Sequence, residues 1–186
     1  MNKTTIKSIL VESFTGFTNF TDTLSDHRFM VSPEGKWSAG QQLDHLIRSV
    51  KPVNTVLGFP RIFLRFFGKP ALPSRSYEQV EDMYKLALEK GRATTRPYIP
   101  PVTSAAQRHV LQLQFHQQKD RLLLQLGQWA ENDLDKYQVS HPLTGKLTIR
   151  ELLYFTACHN QHHLQLLQQR EQKDLPWAVQ LERALS

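Results

Sequence analysis

Cysteine is all but missing from this chain. Cys158 is the single one in 186 residues, so no internal disulfide can form. That usage fits a reducing compartment. No apolar run approaches the ~18 residues of a membrane span. The N-terminal stretch MNKTTIKSILVESF has no long apolar core and no small-residue cleavage site, so no secretory signal is expected and the expected location is the cytoplasm. A glycine-rich phosphate loop is absent, as is the paired-cysteine signature of the zinc deaminases. There is no Glu-x-x-His, which argues against a ferritin-like di-iron bundle. No alternating strand pattern of useful length and no internal repeat occurs.

Acidic residues are missing locally. Between Leu46 and Tyr77 stand Arg48, Lys51, Arg61, Arg65, Lys69 and Arg75 with no Asp or Glu, together with Phe59, Phe63, Phe66 and Phe67. A basic, aromatic segment can touch a membrane surface or an anionic ligand. A short crossover helix whose phenylalanines join the core or a subunit interface is the favoured reading, because surface binding needs a longer amphipathic pattern. A homodimer is expected on that ground.

What is present is ordinary for a folded globule: 40% hydrophobic and 22% charged residues, enough for one domain over residues 1–186 with a sizeable core. The formal net charge of +6 is modest. With no recognition motif beside it, a nucleic-acid partner is not expected.

The periodicity is helical nearly throughout. Ile6, Ile9, Leu10, Phe17, Phe20 and Leu24 define a first helix over about residues 3–25. A second runs from about Ser38 to Gly58 on Leu43, Leu46, Ile47, Val50, Val53 and Leu57, and Pro52 should kink it or end its regular part. A third covers about Ser104–Ala130 and a fourth about Ile149–Arg170, with shorter helices at Tyr77–Lys90 and Trp177–Ala184. Ser38 with Gln41, Ser76 with Gln79, Ser104 with Gln107 and Thr148 with Glu151 each match the capping box, placed where the periodicity begins. Four main helices with long connections predict an all-α four-helix bundle with crossovers and short accessory helices. The segment from Glu131 to Leu147 is read as a loop with a turn at Thr144-Gly145-Lys146.

The run Tyr154–Leu167 (YFTACHNQHHLQLL) carries the chemistry. His159 and His163 are four apart and stack on one helix face. On the wheel they turn inward with Ile149, Leu152, Leu153, Thr156 and Leu167, while His162 lies at the edge beside Phe155 and Cys158. Two inward imidazoles without partners bury polar nitrogens at about 1–3 kcal/mol each; a metal ion removes that cost, and Zn, Ni and Fe all suit imidazole. The residues between the pair are Asn160, Gln161 and His162, so this is not the H-E-x-x-H protease motif. A third ligand must come from elsewhere, and His45 in Trp37–Val50 (WSAGQQLDHLIRSV) is the leading candidate. Its phase lies off the apolar stripe, near Gln41, Gln42 and Ser49, so the wheel only sets it beside the core. His162 is a weak candidate for an acid/base role. Asp44 is expected to be solvated, Trp37 to pack, and Cys158 to be a buried structural thiol. His116 and Asp120, four apart on the third helix, form a local pair or line the pocket.

WSAGQQLDHL early and HPLTGKLTIRELLYFTACHNQHHLQLL late resemble the DinB-like superfamily of metalloenzymes, which includes the YfiT-type proteins. The resemblance covers about Ile6 to Arg170. It implies a four-helix bundle with long crossovers and one divalent metal ion on three histidines, one from the second helix and an H-x-x-x-H pair from the fourth. These positions are His45, His159 and His163. Relatives with assigned activities include thiol S-transferases that use bacillithiol- or mycothiol-like cosubstrates, and hydrolases.

Three neutral imidazoles leave a divalent ion with open positions, the catalytic rather than the closed structural arrangement. The expected function is a thiol S-transferase acting on a small-molecule substrate with a low-molecular-weight thiol. The basic stretch Arg48–Arg75 is a conceivable seat for that thiol's carboxylates. The alternatives are a metal-dependent hydrolase of a small substrate and a non-catalytic stress-response or binding module.

Overall fold

Asn2, Ser38 and Thr148 each close the first turn of a long helix with a side-chain oxygen, and the periodic segments behind them fold accordingly. A computed structural model describes residues 1–32, 35–91 and 94–173. In chain order the elements are α1 (Lys3–Asp22), α2 (Asp26–Met30), α3 (Ala39–Gly58), α4 (Arg61–Leu64), α5 (Tyr77–Glu89), α6 (Arg108–Gly127), β1 (Gln138–His141), β2 (Gly145–Thr148) and α7 (Ile149–Lys173). The helix expected at Trp177–Ala184 lies outside the described residues.

Helices α1, α7, α3 and α6 form the bundle. α1 packs on α7, α7 on α3, α3 on α6, and α6 back on α1. Their inward residues make one continuous core, in which Phe14, Phe17 and Phe115 stack at the α1–α6 seam. All four capping boxes form. In the last, Glu151 N–H donates to Thr148 Oγ1 at 3.2 Å and Thr148 N–H to Glu151 Oε2 at 2.9 Å. Pro52 does not end α3, which runs on to Gly58. Its missing N–H costs a single rung of the ladder.

Two connections differ from the sequence reading. The segment before α7 is a two-stranded antiparallel hairpin rather than a loop, with Val139 opposite Leu147 and both turned inward. Four-residue strands are too short to show an alternation. The predicted turn is its tip, where Gly145 takes φ 82°, a conformation that favours glycine. The phenylalanines of the α3–α5 crossover do not join the core: Phe59, Phe63, Phe66 and Phe67 are all exposed, and Leu64 is the residue of α4 that is buried. The crossover is instead tied down by polar contacts. Gln138 Nε2 donates to the carbonyls of Phe67 and Lys69 at 3.1 and 3.0 Å. Arg61 pairs with Asp133 at 2.9 Å.

The tightest tie is Glu151, 3% exposed at the start of α7. Besides Thr148 it accepts from Arg75 N, Nε and Nη2 at 2.7–3.0 Å, and Arg75 donates onward to the carbonyl of Lys146. Burial alone pushes the Glu151 carboxyl up, but Arg75 and the backbone donors outweigh it and hold it ionised below the usual range. Replacing Glu151 with Gln is expected to cost about 2 kcal/mol of unfolding free energy, toward the low end for a broken buried pair because Arg75 is partly exposed. Urea unfolding checks it, with Lys85→Ala in the exposed Lys85–Glu81 pair as the control that should move by less than about 0.5 kcal/mol.

Candidate metal centre

The i, i+4 spacing puts His159 and His163 one turn apart on the face of α7 that meets α3, and His45 comes from the second turn of α3. All three are buried. His45 Nε2 and His163 Nε2 each lie 3.1 Å from His159 Nε2, and the three residues form a group able to hold a metal ion.

The hydrogen bonds behind the rings decide where the protons are. His45 Nδ1 is 2.8 Å from the carbonyl of Tyr98. A carbonyl can only accept, so Nδ1 carries the hydrogen and Nε2 presents a lone pair. Gln42 does the same for His163. Its amide nitrogen donates to the carbonyl of Trp37 at 3.4 Å, which turns Oε1 toward His163 Nδ1 at 3.0 Å. His159 Nε2 therefore faces two lone pairs and can offer at most one proton. A cation satisfies all three nitrogens together. Ligand nitrogens held at ~2.0–2.1 Å from one zinc in a tetrahedron lie about 3.3 Å apart, close to the two 3.1 Å separations from His159, and all three ligand atoms lie within 4.8 Å of one another. The donor set fits a divalent ion, with zinc, nickel and iron all compatible with imidazole. Outer hydrogen bonds of this kind orient metal-binding histidines.

Burial keeps these rings neutral. His159 and His163 titrate well below the ordinary imidazole value, first through desolvation and then through their histidine neighbours. His45 is lowered by desolvation too, against the opposing pull of Tyr98. Neutral imidazole is the form that binds metal.

The triad opens onto a cavity of about 600 Å³, within the range that binds small molecules. Its walls come from α3, α5, α7, the hairpin and residues 94–98, and Phe67 of the crossover also borders it. Tyr84 of α5 stands edge-on to Phe155, His159 and His162. No Lys, Arg, Asp or Glu lines it among the described residues.

A model of the DinB superfamily matches residues 10–167. The chain belongs to that superfamily. No curated protein and no solved structure matched it. The DinB-like helical fold and the three-histidine cluster are thus in place together, and among the described residues no helix is long and apolar enough to cross a membrane.

The other expected positions divide. His162 is partly buried and lines the cavity beside His163. Trp37 packs on the triad, its ring 4.8 Å from that of His45. Cys158 is buried and its thiol is pushed up to about 11 by desolvation. Asp44, expected in solvent, is largely buried and pairs with Arg48 at 2.8 Å, one turn along α3. His116 and Asp120 do not line the cavity, and Asp120 pairs with its neighbour Lys119. None of the six basic residues of the acid-free stretch lines the cavity; Arg48, Arg61 and Arg75 are paired with Asp44, Asp133 and Glu151. Sequence reasoning gave no role to His141, which lines the cavity and packs against Phe155, the rings tilted and 4.2 Å apart between centroids. It sits on a short strand, where helical periodicity has nothing to say.

Full-length protein without a histidine tag is expected to take up one divalent ion per chain. His159→Ala or His163→Ala should abolish stoichiometric binding and His45→Ala should weaken it at least about tenfold, since two ligands hold such an ion poorly. Elemental analysis and calorimetry read both. A second expectation concerns pH. His141, lowered from 6.5 to about 4 by burial, and the buried triad all bind protons less readily folded than unfolded. Their contribution is fully present above pH 6.5 and is lost as pH falls from there toward 4. Thermal melts of metal-free protein should show a falling midpoint across that window, with a smaller fall in His141→Phe.

Proposed function

We propose that the protein is a divalent-metal-dependent enzyme with its reaction centre at His45, His159 and His163, and that it transfers a low-molecular-weight thiol to a small-molecule electrophile. The observation that carries the reading is the convergence of three histidine Nε2 atoms on a cavity large enough for a substrate. A divalent ion bound there supplies Lewis acidity, lowering the pKa of a thiol or a water that reaches it. The protein's own groups hold and orient. Tyr98 and Gln42 fix the tautomers of His45 and His163, and Trp37 and Tyr84 pack against the rings.

Thiol transfer is favoured over hydrolysis by what borders the site. A hydrolase of this kind would more naturally place a carboxylate beside the ion as general base, and among the described residues no carboxylate lines the cavity. His162 is a candidate for that duty, and burial lowers its pKa from the ordinary imidazole value. A thiol made acidic by the ion needs no such base.

Metal-loaded protein incubated with a panel of low-molecular-weight thiols and a model electrophile should form the conjugate, and His163→Ala should lower the rate at least about a hundredfold by removing the ion. Mass spectrometry of the product reads the outcome. Metal-dependent cleavage of esters or amides with no conjugate for any thiol would replace the transferase with a hydrolase.

A further inference from the structure

His141 is held by two donors. The N–H of Leu143, 3.4 Å from His141 Nδ1, can only donate, so Nδ1 is an acceptor there. The hydroxyl of Thr144, 3.0 Å from the same nitrogen, donates to it as well. The ring hydrogen is thereby fixed on Nε2. These contacts are made by the turn of the hairpin itself, with no help from the bundle, and the ring is clamped from the other side by Phe155. Phe155 in turn stacks on His159 at 5.5 Å. One aromatic side chain thus separates a fixed, neutral N–H donor from the histidine triad.

The remaining wall restricts what that donor can meet. Val53, Val56, Leu88, Val139, Leu143 and Leu152 supply its aliphatic part, the neutral side chains of Ser49, Thr94, Thr95, Ser140 and Thr156 also line it, and no charged side chain does among the described lining residues. Arg48, Arg75 and Arg150 do not line it and are matched by Asp44, Glu151 and Asp135. With no ion on the triad, a carboxylate or ammonium entering this space would lose its water and find no countercharge among the described lining residues, a severe penalty. A neutral molecule loses little and covers apolar surface.

We propose that the cavity takes an uncharged, largely apolar substrate bearing one hydrogen-bond acceptor such as a carbonyl oxygen, and that His141 Nε2–H is the donor that selects and orients it beside the triad. This assignment rests on the reading of the triad as a reaction centre. It makes His141 a specificity-determining residue. It also separates the two reactants: the walls recognise the electrophile, and charged groups of the thiol other than its sulfur stay at the cavity mouth.

Three probes of one shape test it: benzylacetone, a neutral ketone; hydrocinnamate, the matching carboxylate; and butylbenzene, which has no acceptor. Calorimetric titrations use full-length protein, metal-loaded and chelator-stripped. Benzylacetone should bind the stripped protein at least about tenfold more tightly than hydrocinnamate. In His141→Phe, checked for native helicity by circular dichroism, the preference for benzylacetone over butylbenzene should shrink about fivefold while butylbenzene binding holds. His141→Gln, whose amide N–H can stand near Nε2, should restore part of it. Hydrocinnamate binding the stripped protein as well as the ketone, no binding of either neutral probe, or an unchanged ketone preference in His141→Phe overturns the proposal. The reading of the site fails separately. Loss of thiol transfer with the ketone preference intact removes the reaction and keeps the pocket, while conjugation by a protein that prefers the anion removes the pocket assignment alone.

Discussion

The buried carboxylate of Glu151 joins the parts that make a cavity out of a helical bundle. It caps α7 through Thr148, receives three hydrogen bonds from Arg75 at the foot of α5, and through Arg75 is linked to the carbonyl of Lys146 in the hairpin. α5 and the hairpin are the two walls that α3 and α7 cannot supply. An ionised carboxylate with so little solvent access survives only because each oxygen is matched by donors. Beside it, Arg150 binds Asp135 and Glu131 and reaches the carbonyl of Met1, securing the same end of α7 to the chain's start. The polar end of α7 is an anchor, and its middle is left free for chemistry.

That division explains how an apolar core tolerates three imidazoles in contact. Each histidine is costly to bury in its charged form, and desolvation lowers the pKa of all three. Tyr98 and Gln42 satisfy the outward nitrogens of His45 and His163, which leaves the inward ones as lone pairs that both face His159 Nε2. Repulsion among lone pairs is a defect in a structural core and an asset in a metal site. The same logic applies to the wall. Arg48 is paired with Asp44 and Arg75 with Glu151, and among the described residues no charged side chain lines the cavity.

Much of this was legible in the residues. His159 and His163 announce themselves because a helix repeats every 3.6 residues, and a four-residue step is a contact by geometry alone. The capping boxes did the same for the helix starts. His45 was harder. Its phase lies off the stripe of α3, because α3 is covered on more than its apolar face: residues 96–98 fold over the flank where His45 and Ser49 lie. A wheel assumes one buried face, and α3 has two. Asp44 was misjudged for the same reason.

Local pattern determined the helices, their caps and the histidine pair, since those interactions span three or four residues and need no distant partner. The family resemblance added the third histidine. Tertiary structure alone decided that Arg75 serves Glu151 rather than a ligand, that the crossover phenylalanines stay outside the core, and that His141 on a short strand stands beside Phe155 and the triad. Each of these joins residues far apart in the chain, and the spacing of residues along a sequence carries no information about which distant segment will close over which.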